Sequence, residues 1–115
     1  MISIAIVDPE LHYRSGLSVV LERDRRLTVV IAAASVDELL KSRTRPSVVL
    51  LAESITQLTT VTLLRDQYRC AVITVPKKQA RKRAETFYGE DARIARTQPL
   101  AVLIATVLRV LGGTQ

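Results

Sequence analysis

Five apolar residues, Val48-Val49-Leu50-Leu51-Ala52, follow one another between Arg45-Pro46-Ser47 and Glu53-Ser54. A strand with one wet face alternates apolar and polar residues, whereas an unbroken run suits a strand covered on both faces. Such a strand belongs in the middle of a parallel sheet with helices above and below. In open α/β sheets, ligands and chemistry gather just beyond the carboxyl ends of the strands. At that point this chain carries Ala52, which has no functional group.

The flanking sequence supplies the rest of such a sheet. Ile2 to Val7 reads as a first strand. Asp8-Pro9 then offers an N-cap oxygen followed by a proline with preset φ, predicting a helix from about Pro9 to Arg23. Leu17, Val20 and Leu21 are its inward face. Leu27 to Ala33 is a second strand. Ser35 to Glu38 has capping-box spacing and opens a short helix to about Arg43. The central run follows. Ser54 to Tyr68 predicts a third helix or a shortened helical turn, because Thr59, Thr60 and Thr62 are β-branched. Cys70 to Val75 is a fourth strand. Pro76 begins a fourth helix reaching Tyr88, with Gly89 as its stop. Arg93 to Arg96 is a short fifth strand, and Pro99 starts a last helix that Gly112 and Gly113 terminate. Strands alternating with helices imply parallel βαβ units with right-handed crossovers. The expectation is one α/β domain over residues 1–115: a five-stranded parallel, doubly wound sheet of flavodoxin-like order, sandwiched between helices.

Composition narrows the class. Hydrophobic residues make up 48% and charged residues 24%, which suits a folded domain. With only Tyr13, Tyr68, Phe87 and Tyr88 as aromatics, the core must be aliphatic. Cys70 is the one cysteine, which excludes an internal disulfide and a cysteine-based zinc site. The apolar start lacks a basic leader, and no run approaches a membrane span, so the chain is expected to be cytoplasmic with no membrane partner. There is no Ser/His/Asp set, glycine-rich phosphate loop or metal-ligand cluster, so no independent enzyme, metal or cofactor is expected. The net charge of +6 favours acidic partners without naming one.

Two stretches carry a family resemblance: Ile4-Ala5-Ile6-Val7-Asp8 followed by Arg14-Ser15-Gly16-Leu17, and Arg45-Pro46-Ser47-Val48-Val49-Leu50-Leu51. The chain resembles a bacterial response-regulator receiver domain of the kind placed before a LuxR-type DNA-binding domain. That family shows a strand ending in two acids, then Arg-x-Gly-Leu, and later Arg-Pro-Asp, an apolar run and a phospho-accepting Asp. The acids hold Mg²⁺, a hard cation that prefers oxygen ligands. A Ser or Thr after the fourth strand and a Lys after the fifth meet the phosphoryl oxygens.

The chain departs from that pattern at nearly every chemical position. Asp8 keeps the first acid, but Pro9 replaces the second and Ala52 stands where the acceptor belongs. Glu53 is adjacent, yet successive strand residues face opposite sides, so it does not simply stand in. Thr74 fits the Ser/Thr position. The Lys position falls on Gln98, before Pro99, or on Arg96 if the loop is counted differently. The resemblance therefore implies a pseudo-receiver: a regulatory and dimerisation module of a two-component-type transcriptional regulator that works without phosphorylation, beside a DNA-binding output domain. The ending Gly112-Gly113-Thr114-Gln115 fits an interdomain linker. The alternatives are a receiver phosphorylated on a non-standard acid, and a nucleic-acid-binding protein using the basic fourth helix.

Other residues have plainer readings. Asp8 reads as an N-cap, Thr74 as a strand residue, Cys70 as a small buried hydrophobe and His12 as a surface side chain. Lys77, Lys78, Arg81, Lys82 and Arg83 form a basic run without an aromatic platform; a solvated helix face is expected there, and direct nucleic-acid contact is not. The last helix differs, because from Leu100 to Leu111 only Thr106 and Arg109 are polar. If Leu100, Leu103, Ile104, Val107 and Leu111 face the sheet, then Val102, Ala105, Arg109 and Val110 remain outside, with Val19 extending the strip. An exposed apolar strip marks an interface, so a homodimer through this helix is expected.

Overall fold

The computed structural model describes residues 1–78 and 88–112. In chain order it contains β1 (Ile2–Val7), α1 (Leu11–Leu21), β2 (Leu27–Ala33), α2 (Val36–Lys41), β3 (Val48–Ala52), a single 3₁₀ turn (Glu53–Ile55), α3 (Leu58–Tyr68), β4 (Ala71–Val75), β5 (Ala92–Arg93) and α4 (Leu100–Gly112). The five strands form one sheet in the order β2-β1-β3-β4-β5, every pairing parallel. This is the flavodoxin-like order.

All five residues of β3 are buried, and the alternation of their side chains explains the unbroken run. Val48 and Leu50 join Ile4, Ile6, Leu17, Leu21, Leu103 and Val107 in a core between the sheet and α1 and α4. Val49 and Leu51 point the other way, into a core with Ala5, Val7, Leu39, Val61, Leu64 and Val72 under α2 and α3. Burying each such Leu, Ile or Val contributes about 1.5–3 kcal/mol, so the two cores need no cross-link.

The starts of α1 and α3 depart from the sequence expectations, whereas that of α2 does not. α1 begins at Leu11, with Glu10 as its N-cap residue rather than Asp8. The Asp8 carboxylate instead accepts from the Glu10 backbone N–H at 2.8 Å and closes a local turn. The cap of α2 is half a capping box: Ser35 Oγ accepts from Glu38 N at 3.1 Å, while Glu38 Oε1 takes Ala34 N at 3.0 Å. The third helix does not start at Ser54. A 3₁₀ turn intervenes, and Thr60 Oγ1 then accepts from Gln57 N at 3.0 Å to cap α3. β5 covers Ala92–Arg93, not Arg93 to Arg96. Pro76, Lys77 and Lys78 are not helical. Residues 79–87 of the expected fourth helix, with Arg81, Lys82 and Arg83, lie outside the described residues, and Tyr88 is not helical. Gly89, its expected stop, has a φ of +86° that suits glycine.

Candidate functional site at the carboxyl edge of the sheet

The parallel strands bring their carboxyl ends to one edge, and with them Asp8 after β1, Ala52 ending β3, Thr74 in β4 and the segment after β5. Asp8, Ala52 and Thr74 are buried. The parallel sheet thus places these three positions along one edge. The segment between β1 and α1 is held in shape by Arg14, whose Nη1 donates to the carbonyls of Asp8 at 3.1 Å and Pro9 at 3.3 Å. Pro9 itself is exposed and presents no ligand.

Arg96 fills the space beside Asp8. Its Nη2 lies 2.7 Å from Asp8 Oδ2 and its Nη1 lies 2.9 Å from Glu10 Oε2. Lys77 Nζ reaches Glu10 Oε1 at 3.1 Å, so Lys77 is tied to this edge rather than standing on a helix face. The Arg96 guanidinium also stacks 4.1 Å from the Tyr13 ring centroid, a cation–π contact. Burial works against the Arg96 charge, but the two carboxylates outweigh it and hold the guanidinium cationic. Hydrogen bonds from Arg96 and Lys77 hold the Glu10 carboxyl below its ordinary range.

A second ionic group lies on the other side of Ala52. Thr74 Oγ1 donates to Glu90 Oε2 at 2.8 Å, and Tyr88 N donates to Glu90 Oε1 at 2.7 Å. Arg93 Nη2 lies 3.1 Å from Glu90 Oε2, and Arg93 Nη1 bonds Glu53 Oε2. Burial pushes the Glu90 carboxyl up, but its backbone bonds, Thr74 and Arg93 prevail, so it stays below the ordinary glutamate range. Glu53 leaves the strand on the 3₁₀ turn and spends its carboxylate on Arg93.

These side chains do not fit Mg²⁺. Asp8 Oδ1 is occupied by Glu10 N and Oδ2 by Arg96, while Pro9 and Ala52 offer no side-chain oxygen. Among the described residues no group of three or more His, Cys, Asp or Glu could hold a metal ion. The hydroxyl of Thr74 is directed to Glu90.

Of the two positions considered for the family's Lys, Arg96 is the one that meets Asp8. Arg96 and Gln98 both line a cavity of about 410 Å³ between α1 and α4, together with His12, Tyr13 and Leu103. Glu10, Glu90 and Arg93 were not singled out from the sequence. The signals were present: Asp8-Pro9-Glu10 places two acids around one proline, and Glu90-Asp91-Ala92-Arg93 places charges around a two-residue strand.

On α4, Val102 and Ala105 are exposed, as is Arg109, and Val19 is exposed on α1. Val110 departs from expectation, being half-buried against the core, and Leu100 is more open than a sheet-facing residue should be. Thr106 is buried, its Oγ1 bonding back to Val102 O at 2.8 Å. Cys70 is buried and burial pushes its thiol pKa up, as a packing role requires. Among the described residues no helix is long and apolar enough to cross a membrane.

This is the receiver fold, and solved structures similar to it are response-regulator receiver proteins. A LuxR-family two-component response regulator from Aurantimonas sp. SI85-9A1 superposes with a TM-score of 0.81 at 20% identity, over 98% of this chain and 86% of that one. The BeF₃-activated DrrB receiver domain gives 0.76 at 18% identity, over 97% and 98%. RcsB from Salmonella enterica serovar Typhimurium, bound to a promoter in the presence of phosphomimetic BeF₃⁻, gives 0.83 at 11% identity, over 97% of this chain and 61% of that one. No family model matches the chain, and no curated protein matches it.

Proposed function

We propose that this chain is a pseudo-receiver: a regulatory module that signals without accepting phosphate, through contacts with a second copy of itself and with a DNA-binding output domain. The observation that carries the reading is the Arg96 guanidinium 2.7 Å from Asp8, beside an alanine at the end of β3. An internal cation takes up the charge a divalent ion would balance, and β3 ends in Ala52, which brings no carboxylate to that edge. In this reading the site is an electrostatic clasp, and surface shape is left to carry the signal. The open side chains of Val102, Ala105 and Val19 support pairing through α4 and the neighbouring α1.

Phosphorylation on a non-standard acid has no comparable support, because Glu53, the nearest carboxylate in sequence to Ala52, is bonded to Arg93. Incubation with acetyl phosphate and Mg²⁺, read by intact mass, separates the readings. An unchanged mass is expected, and an acid-labile phosphoryl adduct would overturn the proposal.

A further inference from the structure

The edge of the sheet opposite the clasp is lined with arginines that the sequence scatters. Arg23 and Arg25 lie between α1 and β2, Arg43 and Arg45 between α2 and β3, and Arg69 between α3 and β4. The backbone sets these connections side by side. Ile2 N bonds Arg26 O at 2.8 Å, Ser47 N bonds Ser3 O at 2.7 Å, and Ala71 N bonds Ser47 O at 3.0 Å. All five arginines are exposed, and none forms an ion pair among the described residues. The acids of this edge are largely engaged by other partners: Asp24 by Arg26 at 2.7 Å, Asp91 by Arg65 at 2.9 Å, and Glu22 by the Val29 N–H at 2.6 Å. Asp66 is exposed nearby on α3.

Two details indicate that these side chains are presented. Arg43 and Arg45 flank Thr44 at a cleft of about 240 Å³ whose wall is fixed, since Ser42 Oγ bonds Leu39 O at 2.6 Å and Tyr68 OH bonds Leu39 O at 3.2 Å. Arg69 ends α3 at a φ of 54°, a conformation that glycine or asparagine adopts at less cost. The row runs from β2 to β4, three strand spacings or about 14 Å, too wide to converge on one small anion. It matches an extended polyanion, and the planar guanidinium fork suits phosphate.

We propose that this amino edge binds the phosphate backbone of duplex nucleic acid, independently of base sequence. The proposal does not rest on the pseudo-receiver reading. The test titrates the 115-residue chain into a labelled 20-base-pair DNA duplex at several salt concentrations. Five phosphate contacts predict a slope of log affinity against log salt of about −4.5. Arg43→Gln/Arg45→Gln/Arg69→Asn should flatten that slope by about 3 and weaken binding at least about tenfold at low salt. Lys78→Gln, exposed at the opposite edge, should leave it unchanged. Arg69→Gly alone, which relieves the left-handed backbone, should fold at least as well and still flatten the slope by about 1. Salt-insensitive or absent binding would overturn the proposal. So would a triple variant that binds like the wild type, or tighter binding to anionic phospholipid vesicles or to polyglutamate than to the duplex.

Discussion

Arg96 Nη2 and Asp8 Oδ2 lie 2.7 Å apart at the carboxyl edge of the sheet, with 17% and 2% of their side chains exposed. The two residues are separated by 88 positions in sequence, so the pair fastens the segment after β5 to the end of β1. A charge pair this buried is asymmetric in its energetics. Removing one member strands the other, whereas replacing both with neutral groups costs far less.

That asymmetry gives the first prediction. Arg96→Met leaves Asp8 without its counter-ion and should lower the unfolding free energy by about 3 kcal/mol in urea titrations. Asp8→Asn/Arg96→Met should recover a large part of that loss, with a coupling of about 1–3 kcal/mol between the sites. Additive losses would mean the two side chains do not act as a pair.

The acid limb of stability follows from the depressed carboxyls. Glu10 and Glu90 both have folded pKa values below the ordinary 4.5. Asp24, hydrogen-bonded by Arg26, is held down to about 2. A depressed folded pKa means the unfolded chain binds protons first as pH falls. The stability these groups contribute is therefore complete above about pH 4.5 and is lost progressively below it. Thermal melts should show a Tm that falls below that pH, and Glu90→Gln should make the fall shallower. A Tm that rises on acidification would contradict the assignment.

The strands were legible in the sequence because apolar runs fix them directly: β1, β2 and β3 fall where Ile2–Val7, Leu27–Ala33 and Val48–Ala52 predict. Helix starts were less legible, because a side chain that could cap a helix has other options. Asp8 was expected to cap α1, but its carboxylate is claimed by Arg96 and by Glu10 N. Ser54 was expected to begin α3, but Glu53 turns out of β3 toward Arg93 and a 3₁₀ turn fills the gap. The alanine at the end of β3 could be read from one residue. The two ionic groups at the same sheet edge could not, because Arg93 and Arg96 meet acids 40 and 88 positions away that only the closed sheet brings near.

Cys70 tests the packing of the α2/α3 face. It is 6% exposed, burial raises its thiol pKa, and Sγ points to Leu64 O at 3.7 Å. A buried, protonated thiol is a poor nucleophile. Ellman's reagent should react at the rate of unfolding in native buffer and at once in denaturant. Rapid reaction of the native chain would place the thiol at the surface.

Pairing through α4 is tested by charge. Val102 is 38% exposed and Val19 is 59% exposed. Val102→Glu and Val19→Glu place a carboxylate on that strip without disturbing the core. Each should weaken self-association in sedimentation equilibrium at least about tenfold, or about 1.4 kcal/mol. The melting temperature of the dilute protein should stay unchanged. Unaltered association would move the interface off this face.

We propose that Arg96, 2.7 Å from Asp8, supplies the positive charge a divalent cation would otherwise bring to this edge. The most direct measurement is a Mg²⁺ titration followed by backbone amide NMR at Asp8, Ala52 and Thr74. No saturable shift is expected at these amides at millimolar Mg²⁺ in the wild-type chain. A saturating shift centred on Asp8, with release of the Arg96 side chain, would contradict it.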